Sequence, residues 1–168
     1  MGILGKPFGR KEDPLSKQAA TLVSAAEVQA ISMFVPFLDE FPLLREADAK
    51  HWDFIMTVAG VFVAASSLSN LRLAGAREEA LMESVAESFE QWNTKAIGGF
   101  EDCKAFFENE CDRLAAAGHE PRFIASDAVG KWIVWNVLSR VPETQHECML
   151  VRATGAAITH RFLSWWSE

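Results

Sequence analysis

The chain has 168 residues, of which 49% are hydrophobic and 23% charged, and its net charge is −7. This is the balance of one folded domain with a sizeable core, and it excludes a disordered chain. The negative charge argues against nucleic acid as a partner, whose phosphates call for basic patches, and the lack of any Tyr excludes a mechanism built on a tyrosine hydroxyl.

Residues 1–12 read as a flexible basic-apolar leader. Ile3, Leu4 and Phe8 alternate with Lys6, Arg10 and Lys11, a composition able to touch an anionic membrane surface. Gly2, Gly5, Pro7 and Gly9 weaken any helix there, and no long apolar run makes it a signal peptide. Cys103, Cys111 and Cys148 have no compact spacing and read as free thiols, so the expected location is cytoplasmic.

From 13 to 168, apolar residues recur at spacings of three and four, with no convincing strand alternation. Asp13 and Pro14 open the first helix. Leu15, Ala19, Leu22, Ala26, Ala30 and Met33 line its inner face, and Pro36 is expected to end it. The second helix is expected over about 46–74, capped by Gly75. The third covers about 76–96, with Leu81, Val85, Phe89 and Trp92 turned inward, and Gly98-Gly99 should break the chain. A fourth is expected over about 100–117, stopping at Gly118, and a fifth over about 127–141, with Ser126 as its cap. The sixth opens on a capping box, Thr144 to Glu147, and runs to the C-terminus. The expected fold is therefore all-α, a single-domain bundle of five or six mainly antiparallel helices, with the second and fifth buried.

The second helix contains eighteen uncharged residues, Phe54 to Leu71. A membrane span needs about 20 mostly apolar ones, and this stretch reaches that length only by counting Thr57, Ser66, Ser67, Ser69 and Asn70. Asp53, Thr57, Gly60, Ala64 and Ser67 fall on one side, a narrow strip of small groups that another helix can approach closely. A buried core helix is the preferred reading, and no transmembrane span is expected. The fifth helix, with Val129, Trp132, Ile133, Val134, Trp135, Val137, Leu138 and Val141, leaves little polar circumference and suits a bundle interior.

Signs of chemistry are sparse. Glu110 falls within the apolar face Phe100, Cys103, Phe106, Phe107, Cys111 and Leu114. A carboxylate there has a raised pKa unless a cation reaches it, and the candidate partners are Arg140, Arg152 and Lys131. Asn136 joins Glu110, Arg140 and Arg152 as a buried-polar candidate. One carboxylate is a weak sign of an enzyme, since acid–base work needs a second group within reach. His146 and Cys148 point to different sides of a helix, His160 is far along it, and His51 and His119 stand alone. No metal site and no cofactor is expected. Ser126 and Asp127 are better explained as a helix start than as part of a catalytic triad.

Residues 76–120 hold eleven acids and four bases, while the rest of the chain is balanced. Glu83, Glu87 and Glu90 on that hairpin, and Trp165 and Trp166 at the C-terminal end, are the interaction candidates. Trp165 continues the core stripe, which leaves Trp166 as an exposed anchor. The first functional expectation is a non-catalytic helical interaction protein with a protein partner or a second copy of itself. The alternatives are a peripheral membrane factor held by residues 1–11, and a ligand-binding protein or enzyme with a pocket near Glu110.

Overall fold

The computed structural model describes residues 13–167. Six α-helices fill this region: α1 (Pro14–Glu40), α2 (Ala49–Leu68), α3 (Gly75–Trp92), α4 (Ala96–Ala116), α5 (Pro121–Leu138) and α6 (Gln145–Phe162). Short 3-10 turns follow α1 and α2, and a third, Trp165–Ser167, follows α6. Among the described residues there is no strand.

α2 is the centre. Fourteen of its twenty residues are buried, and α1, α4, α5 and α6 all pack against it. Asp48 starts it by accepting the amides of Lys50 and His51 at 2.7 and 3.1 Å, which satisfies two of the free donors of a helix start. The strip of small groups is where α6 and the C-terminus arrive. The Phe162 ring lies where a Cβ on Gly60 would sit, 2.8 Å away, and the Trp166 indole donates to Ala64 O at 2.7 Å. α5 buries Asp127, Ala128, Val129, Gly130, Trp132, Ile133, Val134 and Val137. Its outer side is open: Trp135 is 39% exposed and meets Phe106 edge-on at 5.7 Å.

Several helix ends differ from the expectation. α1 does not stop at Pro36 but runs four residues further. A proline inside a helix removes one hydrogen bond, here to the carbonyl of Ser32. Both residues are exposed, so water replaces the lost donor, and Phe34 and Phe37 each pack on Trp52 at 5.6 Å and hold the last turns. α2 gives way to a 3-10 turn, Ser69–Leu71, which stops at Arg72, whose φ of 52° is left-handed, and Gly75 is the first residue of α3. Gly98-Gly99 lies inside α4. Gly99 admits the Phe54 ring, 3.3 Å from where a Cβ would be, and this packing offsets the glycine cost in helix propensity. α5 begins at Pro121, so Ser126 and Asp127 lie inside the helix and cap nothing. The capping box of α6 is as expected, with the Glu147 amide donating to Thr144 and the Glu147 carboxylate accepting the Thr144 amide.

The closest helix contact joins α5 to α6. A Cβ on Gly130 would meet Val151 O at 1.9 Å, and one on Gly155 would meet Ser126 O at 2.0 Å. The two backbones touch because these positions have no side chain.

Two helical stretches, Pro14–Glu40 and Ala49–Leu71, are long and apolar enough to cross a membrane by length and composition. The most apolar window is 72% buried in the second but only 22% buried in the first. The sequence reading had weighed only the second. On α1, Val28, Ile31 and Val35 form an exposed row.

Candidate functional site

α4, α5 and α6 enclose a cleft of about 530 Å³. Its apolar lining comes from Leu114, Pro142, Met149 and Val151. Its ionisable lining includes Glu110, Arg113, His119, Asp127, Lys131 and Arg152.

Each of these side chains is placed by local rules. Glu110 and Arg113 are three apart on α4, near enough to pair along one helix face. α4 ends at Gly118, whose φ is +75°, and the His119 amide donates back to Leu114 O at 3.0 Å. That glycine cap turns the chain so that His119 faces α5. Asp127 and Lys131, four apart, share one face of α5. Arg152 comes from α6, held against α5 by the glycine contact.

Glu110 is 7% exposed. The Arg113 guanidinium donates from Nε and Nη2 to Oε2 and Oε1, at 2.9 and 2.5 Å, and Lys131 Nζ donates to Oε1 at 3.1 Å. The Arg113 hydrogen bonds outweigh burial, and with Lys131 they hold the Glu110 carboxyl below the ordinary range. Glu110 is therefore an ionised, paired carboxylate. Of the three partners expected, only Lys131 is used; Arg113, one turn away on the same helix, takes the main role.

Asp127 is 8% exposed. Its Oδ2 accepts from His119 Nε2 at 2.7 Å and from Arg152 Nη2 at 3.3 Å. Asp127 Oδ1 is buried with no hydrogen-bond partner among the described residues. A buried polar atom left unpaired is costly.

Arg140 and Arg152 are not buried; their side chains are 47% and 62% exposed. Arg140 serves Glu147 at 2.7 Å and Glu46 at 3.2 Å, and Arg152 also lies over the Phe123 ring. Both long side chains extend to the surface and place only a guanidinium edge against a buried acid. Asn136 is half-buried and donates to Trp132 O at 2.8 Å. Glu83, Glu87 and Glu90 are exposed on α3. Ile3, Leu4, Lys6, Phe8, Arg10 and Lys11 lie outside the described residues.

Trp166 is not an exposed anchor. It is 6% exposed, like Trp165. The expectation assumed a continuous helix, but α6 ends at Phe162 and a 3-10 turn carries both indoles. Trp165 donates to Gln18 O on α1 at 3.1 Å and Trp166 to α2, so the two rings are buried on different neighbours.

His119, Arg113 and Asp127 were not read from the sequence as site residues. The helix start at Glu120-Pro121 was the missed signal, since proline is favoured in the first turn. Once α5 starts there, Asp127 falls inside a helix beside Ala128, Val129 and Gly130, a second acid on an apolar face. Among the described residues, no three His, Cys, Asp or Glu side chains converge as a metal site would need. Comparison of the chain with family models, curated proteins and solved structures gives no match.

Proposed function

We infer that this protein binds a small molecule in the α4–α5–α6 cleft. One observation carries this reading: two buried carboxylates from different helices, with the cations that pair them, line one open cleft of about 530 Å³. Ligand sites commonly join an apolar lining to a few converging polar groups. Internal ion pairs that served stability alone would gain by closing over their cavity. The test is a fragment screen by saturation-transfer NMR, with the Leu114 and Val151 methyl signals as reporters. Fragments should compete for one site, shift those methyls and lose binding in Met149→Trp, which fills the rim. Hits scattered over the surface, or hits indifferent to Met149→Trp, would refute the reading.

A second reading is a docking face for a basic partner on α3. It is favoured by Glu83, Glu87 and Glu90, spaced four and three apart on one exposed ridge. Loss of the Trp166 anchor leaves this ridge as its main support. Reversing all three charges should release a co-purifying partner while the thermal midpoint stays within a few degrees; retention of every partner would count against it.

A further inference from the structure

The cleft has a definite charge asymmetry. Its carboxylates are inside and already engaged, each by two side chains. Its cations are outside and only partly used: the side chains of Arg113 and Arg152 are 57% and 62% exposed. Arg113 spends Nε and one bond from Nη2 on Glu110, Lys131 spends one of three donors, and Arg152 donates one hydrogen bond, at 3.3 Å, beside its contact with the Phe123 ring. The three fixed cations exceed the two carboxylates even with His119 neutral, on a chain whose net charge is −7. An entering cation would have to displace charge-assisted bonds to reach either acid. An entering anion meets guanidinium N–H groups that now face water.

One further feature narrows the class. Leu114, Pro142, Met149 and Val151 offer an apolar wall, suited to a hydrocarbon or aromatic body.

Building on the cleft reading above, we propose that the ligand is a small amphipathic acid. Its carboxylate or phosphate lies against Arg113 and Arg152, and its apolar body lies along Met149 and Val151.

A matched series sharing one phenyl body tests this: mandelate, phenylacetate, phenyl phosphate, 1-phenylethane-1,2-diol and 2-amino-1-phenylethanol. Binding to the full chain is followed by calorimetry and by the arginine Nε–H NMR signals, against sodium chloride at matched ionic strength. An acid of the series should bind about tenfold or more tighter than the diol and the amino alcohol. Arg152→Gln and Arg113→Gln should each weaken the acids by about tenfold and leave the diol unchanged. The wild-type series needs no variant, so it stands even if Arg113→Gln disturbs Glu110. Should the diol or amino alcohol bind as well as the acids, the acid class is overturned while the cleft reading survives. If none of the five moves the arginine or Leu114 signals at millimolar concentration, the acid class is overturned, and the fragment screen decides the cleft reading separately.

Discussion

Glu147 illustrates how single residues hold this fold together. Its carboxylate accepts the amides of Glu143 and Thr144 at 2.8 and 3.0 Å, and then the Arg140 guanidinium. These bonds bring its pKa down from 4.5 to about 2. The folded state thus takes up this proton less readily than the unfolded chain. The stabilisation is complete above about pH 5 and is lost as pH falls through 4.5 towards 2. Glu147→Gln should therefore narrow the gap in stability between pH 6 and pH 3, measured by urea unfolding at both. Glu110 works differently, because its loss strands Lys131, whose side chain is only 21% exposed. Glu110→Leu should cost about 1–3 kcal/mol in denaturant unfolding. The position of Glu110 on an apolar face was legible from spacing. Its chief partner was not, because spacing puts Arg113 beside Glu110 on the helix but does not say that its long side chain folds back over the buried carboxylate. The indoles have a related lesson. In a chain without Tyr, Trp52, Trp132, Trp165 and Trp166 each donate from Nε1 to an acceptor on another element, and so combine apolar bulk with a directed bond.

Among the helices, the apolar stripes were read well and the ends less so. Periodicity identified all six, because each buries an apolar face against its neighbours in one core. Ends depend on what the neighbours supply. Pro36 is tolerated where exposed backbone meets water and Trp52 clamps the turn, and Gly98-Gly99 is tolerated where Phe54 fills the space. Where the cap is local, sequence sufficed, as at Thr144 and Gly118. Thr144→Ala should lower stability by about 1 kcal/mol, the usual cost of a lost N-cap. The α5–α6 contact is stricter. Gly130→Ala and Gly155→Ala would each press a methyl into a carbonyl of the facing backbone. Nothing flexible can yield there, so each should cost at the upper end of the roughly 1–3 kcal/mol of overpacked cores, or more. Gly75→Ala, with open space around it, is the control and should leave stability within about 0.5 kcal/mol or raise it.

For the whole molecule, fold class came from pattern, while the cleft came from assembly. Glu110, His119, Asp127 and Arg152 span 42 positions on three helices and a turn, and no spacing rule joins them. What the sequence did carry was the charge surplus of the α3–α4 hairpin. That surplus makes the locally cationic cleft distinctive, since an approaching anion is repelled by the acidic hairpin and attracted at the cleft. Raising ionic strength should relieve both effects. Association of an acidic probe should vary less with salt in the Glu83, Glu87 and Glu90 charge-reversal variant than in the wild type, measured by stopped-flow at two salt concentrations.

The buried C-terminal indoles also bear on the order in which the chain folds. Trp165 bonds a residue 147 positions away and Trp166 one 102 positions away, whereas α5 and α6 meet across a short connection. Contacts that close long loops are entropically expensive and tend to form late. Trp166→Phe, which keeps a ring but removes the bond to Ala64, should speed unfolding and leave the refolding rate nearly unchanged. Trp165 and Trp166 would then act as a latch on a finished bundle, governing how long the native state persists more than how quickly it is reached.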